Sequence, residues 1–422
     1  LSDEARTMSH SSSRENDLIY DWNQVGEEAS RPAKPIELDD ETLRDGLQSP
    51  SVISPPIEKK IEILHLMEAL GIHAVNIGLP GAGPHVQKQV LRLAQEIARE
   101  GMKIRPNCAA RTLKADIEPI VRISQEVGIP IEAATFIGSS PIRQYAEDWE
   151  LSRLVAYTEQ AVRFTVENGL PNMYVTEDTT RARPETLRKL YTTAIECGAR
   201  RVVLTDTVGH ATPAGVRALV AFMKEVVAAT GESVKIDWHG HSDRGLSIPN
   251  SLAAIEAGCD RVHACALGIG ERCGNTPMDI LLVNLKLAGR IPNDLSRLAE
   301  YCQVVSDAVG VPIPANYPVV GEDAFRTGTG VHAAAVIKAL NRNDYWLADR
   351  VYSGVPAGEF GLSQKIEVGP MSGISNVQYW LSSHGIPADD VVVRAIFEKA
   401  KSSNRVLDDE EIEAVVRELS RR

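Results

Sequence analysis

The chain has 422 residues, enough to bury a large core, with 43% hydrophobic and 24% charged residues and no low-complexity tract. A formal net charge of −12 argues against a nucleic-acid binder, whose affinity rests on a basic surface, but leaves room for an anionic ligand in a local basic pocket. No apolar run reaches membrane-spanning length, "LSDEARTMSHSSSREND" lacks a signal-peptide core, and six scattered cysteines form no CxxC pair, which predicts a reduced, cytoplasmic setting.

Residues 1–34 form a polar N-terminal extension, with Met8 as a candidate native start. Then β-rich runs alternate with helical segments. The runs are "PIELDD" (35–40), "HAVNIG" (73–78), "KIRPNCA" (103–109) and "IEAATFI" (131–137), followed by "NMYVTE" (172–177), "RVVLTDT" (201–207), "VKIDWHGH" (234–241) and "RVHACALG" (261–268). Segments of 3.6-residue periodicity such as "EKKIEILHLMEALG" (58–71) and "TPAGVRALVAFMKEVVAATG" (212–231) separate them. Thr212 and Pro213 mark a helix start, and Gly71, Gly198 and Gly258 sit where helices stop. Eight such units of short hydrophobic strands predict an α/β fold, a (β/α)8 TIM barrel over 35–290. An open doubly wound sheet is the alternative. Against it, "GIGERCG" (268–274) has Cys273 where a dinucleotide fingerprint needs glycine, and it follows the last strand rather than the first.

Beyond residue 290 the pattern changes. Residues 291–325 read as a linker with one helix (293–310) and a proline-rich connection, and 326–422 as a small, mostly helical C-terminal region. In that region "GVHAAAVIKALNRN" (330–343) is helical, 351–373 is glycine-rich and irregular, and two further helices close the chain.

A barrel keeps its chemistry just past the C-terminal ends of its strands. That rule selects Arg44 and Asp45 after strand one, Glu177 at strand five, Asp206 and Thr207 at strand six, His239 and His241 at strand seven, and Glu271 and Asn275 after strand eight. The side-chain period of a strand is two, so His239 and His241 share a face. Two imidazoles with Asp45 suit a divalent transition metal that keeps positions open for substrate, and Asn275 can add an amide oxygen.

"LRDG", "HGHSDRGLSIPNSLAAIEAG" and "GIGERCGN", in this order, resemble the DRE-TIM metallolyases, and within them the Claisen-condensing synthases of 2-isopropylmalate, citramalate and homocitrate. The resemblance covers roughly residues 36–373 and implies a divalent ion (Zn, Mn or Mg) on Asp45, His239, His241 and Asn275, with acetyl-CoA as co-substrate. It implies that Arg44 contacts the 2-oxo acid and its developing oxyanion, and that Thr207 binds the acid's carboxylate. Gln48, Ala134 and Val175 would line the pocket. Glu177 would help place the catalytic His332, which deprotonates acetyl-CoA, with Tyr352 in the following motif. In these synthases that segment reaches the neighbouring barrel, implying a homodimer. A leucine-sensing C-terminal domain is expected to be absent, and with it leucine feedback. The implied activity is 2-isopropylmalate synthesis from acetyl-CoA and 2-oxoisovalerate, with citramalate synthesis as the nearest rival. A carbon–carbon lyase and a non-catalytic metal-binding scaffold are the more distant ones.

Several positions depart from the pattern. Leu47 replaces the acid of "RDGEQ", Asn76 stands where glutamate is usual, and Ala134 where histidine is. Met173 occupies the place of an arginine that homocitrate synthases use for a second carboxylate, which argues against 2-oxoglutarate. Asp206 reads as readily as a helix cap or loop brace as a functional acid, Cys273 as a packing residue, Glu271 and Arg272 equally as a loop-shaping pair or as substrate contacts, and His263 as a satisfied interior histidine. The acidic run 407–419 reads as the solvated face of a helix.

Overall fold

The computed structural model describes residues 14–15, 17–25 and 35–421; Met8 lies outside the described residues, as does most of the extension. Two compact units divide the chain, Leu1–Pro35 and Ile36–Arg422. Within the first, a short 3-10 turn, Trp22–Gln24, is capped by the Asp21 carboxylate, which accepts from the Asn23 amide at 2.9 Å.

The second unit is built on a closed barrel of eight parallel strands, β1 (Glu37–Asp40), β2 (Ala74–Asn76), β3 (Arg105–Arg111), β4 (Glu132–Gly138), β5 (Asn172–Glu177), β6 (Arg201–Asp206), β7 (Lys235–Gly240) and β8 (Arg261–Ala264). Closure comes from β1 lying beside β8, with Glu37 opposite Arg261 and Asp40 opposite Ala264. The TIM barrel expected from the eight units is therefore the fold, and the open sheet is excluded. Helices between the strands start and stop where the punctuation predicts. Thr212 accepts from the Gly215 amide at 3.3 Å, and Gly231 ends that helix in the left-handed region at φ +71°.

The strands turn a continuous hydrophobic face outward. Leu38, Val75, Tyr174, Leu204, Trp238 and Val262 pack outward into the main core. Their alternating neighbours fill the barrel with charge. Arg201 pairs with Asp237 at 2.6 Å and Glu37 at 3.0 Å, while the buried Arg261 pairs with Asp237 at 2.7 Å and Glu132 at 2.8 Å. Buried charges persist only when paired in this way.

Beyond the barrel, the helix Leu298–Val309 leads into residues 311–325, which form neither helix nor strand. A two-stranded parallel sheet then joins Arg326–Thr327 to Lys365–Ile366. Three helices, not two, close the chain: Ile374–Ser383, Asp390–Ser402 and Asp409–Ser420. The last carries the acidic run and still buries Ile412 in a small core with Val377, Leu381 and Ile396. Among the described residues no helix is long and apolar enough to cross a membrane.

Candidate active site and metal centre

At the C-terminal mouth of the barrel, the backbone itself converges the expected ligands. The Glu41 amide donates to the Ala264 carbonyl at 2.8 Å, and the Glu41 carbonyl accepts from the Arg44 and Gly46 amides, each at 3.1 Å. That tight turn aims Arg44 and Asp45 back over the strand ends. From the opposite side, the Thr276 amide donates to the Gly240 carbonyl at 3.0 Å and the Ser242 amide to the Gly274 carbonyl at 2.9 Å. The loop after β8 thus lies against the end of β7 and sets Asn275 in an antiparallel bridge with His241.

Asp45, His239 and His241 form a buried group in which one ligand atom from each lies within 4.8 Å of the others. His239 Nε2 stands 3.2 Å from His241 Nε2 and 3.5 Å from Asp45 Oδ2, and His241 Nε2 is 3.9 Å from that oxygen. Ligand atoms held at about 2.0–2.1 Å around a tetrahedral ion stand about 3.4 Å apart, so the set fits a divalent ion. Asp45 Oδ1, His241 Nδ1 and Asn275 Oδ1 are buried without a hydrogen-bond partner, a cost of about 1–3 kcal/mol each if nothing else meets them. The Asn275 Nδ2 donates to the Ile269 carbonyl at 3.2 Å, which leaves its oxygen as the free atom. At Gly270 (φ +148°) a Cβ would stand 2.2 Å from Asn275 Nδ2, so only glycine leaves that amide in place.

Electrostatics favour ligand-ready forms. Burial opposes charge on Asp45, yet the adjacent Arg44 and His239 hold its carboxyl below the usual range. Burial, then the neighbouring His239 ring, push His241 down to about 4, which keeps it neutral. Arg44 bonds Glu41 at 2.6 Å and stands 3.2 Å from Asp45.

A cavity of about 150 Å³ opens beside this group, and Arg44, Asp45, Gln48, Ala134, Val175, Glu177, Thr207, His239 and His241 all line it. One wall is polar. The other is aliphatic, a small buried cluster of Ala134, Met173 and Val203 with Val175 packed against it. Behind that wall, Arg261 Nη2 reaches the Met173 sulfur at 2.8 Å. Thr207 Oγ1 accepts from the Asp178 amide at 2.8 Å. Burial lifts the Glu177 carboxyl above its ordinary range, with Arg143 the main opposing charge.

Two expected residues lie elsewhere. His332 and Tyr352 stack on each other at 4.1 Å, exposed, and neither lines the cavity of its own barrel. Cys273 is exposed rather than packed, because its loop turns outward between Arg272 (φ +56°) and Gly274 (φ +85°). Asp206 braces the β6 loop by accepting from the His210 amide at 2.8 Å and Thr180 Oγ1 at 2.9 Å. Arg272 pairs with Asp243 at 2.8 Å and Glu271 at 3.3 Å, while Glu271 also faces the cavity. His263 bonds Asp237 at 3.1 Å; burial works against its charge, but Asp39, Asp237 and Glu41 outweigh it and raise it to about 9. Sequence reasoning missed Glu41, whose carboxylate sits 2.7 Å from His239 Nδ1. The signal was present, since Glu37, Asp39 and Glu41 alternate onto the barrel interior.

The HMGL-like family model matches residues 35–305, a span that takes in the whole barrel and its mouth. The chain belongs to the HMGL-like family. Among curated relatives, the homocitrate synthase AksA of Methanopyrus kandleri is 34% identical over 90% of this chain and 91% of its own length. A protein of Ignicoccus hospitalis named "Probable 2-isopropylmalate synthase" is 31% identical over 96% of this chain and 98% of its own. Of solved structures, the HMG-CoA lyase of Bacillus subtilis superposes on this HMGL-like barrel with a TM-score of 0.55 at 19% identity, covering 68% of this chain and 98% of that one, a likeness of fold.

Proposed function

We propose that the protein condenses acetyl-CoA with an aliphatic 2-oxo acid, with 2-oxoisovalerate as substrate and 2-isopropylmalate as product. The observation that carries the substrate class is the division of the cavity. Among the described residues Arg44 is the one arginine or lysine lining it, and Ala134, Met173, Val175 and Val203 give it an aliphatic wall. A second carboxylate, as on 2-oxoglutarate, would meet that wall without a cation, whereas a branched alkyl group would bury there. The synthase names of both relatives support the reaction class, and their differing substrates leave the choice to this wall.

Asp45, His239, His241 and Asn275 would hold the divalent ion, which when bound polarises and orients the oxo acid. Arg44, permanently charged, stabilises the alkoxide formed as the ketone is attacked. Thr207 receives the carboxylate, and Gln48 borders the same space. Deprotonation of the acetyl methyl needs a base. His332, oriented with Tyr352 and met by Glu177, takes that role. Because His332 does not line its own chain's cavity, the reading calls for a homodimer in which 326–422 serves the neighbouring barrel, 35–290, through the 291–325 linker. Water then cleaves the thioester and frees CoA.

Thiol release from acetyl-CoA with a panel of oxo acids tests the proposal. Release is expected with 2-oxoisovalerate and not with 2-oxoglutarate. Strongest release with pyruvate would make the enzyme a citramalate synthase. Cleavage of a hydroxyacyl-CoA with no condensation, or no reaction at all, would overturn the proposal.

A further inference from the structure

The synthase reading assigns no role to Glu41, a carboxylate only 3% exposed. Its Oε2 lies 2.7 Å from His239 Nδ1, and its Oε1 lies 2.6 Å from Arg44 Nη2 and 3.2 Å from Asn76 Nδ2. We propose that Glu41 is a positioning residue that locks the metal ligand His239 and the substrate-facing Arg44 to each other through one carboxylate. The inference rests on the synthase reading for the roles of those two partners.

The Glu41 oxygen 2.7 Å from Nδ1 favours the proton there, although the ring is not aligned for a full hydrogen bond, and leaves the Nε2 lone pair of His239 to face Asp45 and His241. His241 has no such brace, since its Nδ1 is buried without a partner. Of the two imidazoles, only His239 therefore has a carboxylate set against the nitrogen that faces away from the ion. The same carboxylate keeps the Arg44 guanidinium from collapsing fully onto Asp45, which it approaches at 3.2 Å. Glu41, His239 and His263 also lie close enough to hold a cation of their own. That arrangement is disfavoured because Arg44 already neutralises Oε1 at 2.6 Å, and His263 Nδ1 stands 3.7 Å from the same oxygen. His239 thus faces Glu41 through one nitrogen and a single ion through the other.

The test uses the full chain and its Glu41→Gln variant, which keeps shape and removes charge. Zinc or manganese affinity, measured by competition with a chromogenic chelator, is expected to weaken about 10–100-fold. KM for the oxo acid is expected to rise alongside it, and the wild-type chain to hold one ion. Unchanged metal affinity in a folded Glu41→Gln protein, even with a lowered Tm, means a structural role only and overturns the inference. Two ions per wild-type chain overturn it as well. A wild-type chain that binds no ion removes the synthase reading and this inference together, so the two failures are distinguishable. Should the variant fail to fold, histidine nitrogen NMR of the wild-type protein loaded with cadmium decides. Coupling of the metal to Nε2 of His239 with a retained Nδ1 proton supports the lock, and coupling to Nδ1 refutes it.

Discussion

His239 and His241 are buried among Glu41, Asp45 and Asn275, whereas His332, on the helix Gly330–Leu340, is exposed and stacks on a single ring, that of Tyr352. The first pair lies among polar atoms that are costly to leave unmet, with Asp45 Oδ1 and Asn275 Oδ1 both buried without a partner beside it. The second pair meets water freely, so its present geometry is under no pressure to be final. A half-site that must be assembled before its ligand arrives is buried; a half-site completed by another surface can stay open. Nearby apolar side chains agree with this division, for Val331 is 73% exposed and Met371 72%.

The comparison breaks most sharply at the buried pair. His241→Ala is expected to abolish both bound metal and turnover, measured by metal analysis and thiol release; wild-type values for either would remove the ligand assignment. Arg44→Ala should keep the metal and lower kcat about 10²–10³-fold, the usual cost of losing an oxyanion partner. At the open half, His332→Ala should lower kcat about 10²–10⁴-fold with metal content and Tm unchanged. Mixing inactive His241→Ala and His332→Ala chains sharpens the point. If each barrel is completed by its neighbour, half the dimers regain one intact site and about a quarter of the activity returns. No recovery would place His332 in its own chain's reaction or outside it altogether.

Smaller effects test the cavity wall and the loop beneath the mouth. Val175→Phe should shift preference from 2-oxoisovalerate toward pyruvate by about 10–200-fold in kcat/KM. Asp279 accepts from the Leu267 amide at 2.6 Å, and burial lifts it to about 6. The folded chain therefore binds that proton more tightly than the unfolded one, whose aspartate titrates at about 3.9. Its contribution to stability is greatest below that value, falls as pH rises through about 6, and is flat above. Asp279→Asn should flatten that part of the Tm–pH profile.

Strand positions were legible because apolar runs recur at barrel spacing, and the HxH pair was legible because its period matches a strand. The interior was not. In "PIELDD" the acids look like a polar strand end, yet Asp39 is buried beneath the mouth and its carboxylate accepts from Asn107 at 2.9 Å. Charge inside this barrel is satisfied by partners 24 to 164 residues away, which local patterning does not report. β2 shrank to Ala74–Asn76 for a local reason, since Gly78 turns the chain at φ +147° directly after it. The terminal helix, Asp409–Ser420, was legible in its acidic run, and Asp408 and Glu411 make a capping box around its start.

The aliphatic wall of the cavity is a single thioether thick. Arg261 waits directly behind Met173, already in the barrel and already stabilised by Asp237 and Glu132. Trimming that one side chain would uncover a guanidinium to any acceptor long enough to reach it. A guanidinium thus stands one side chain's thickness from the cavity, part of the scaffold already, with Asp237 and Glu132 holding it there.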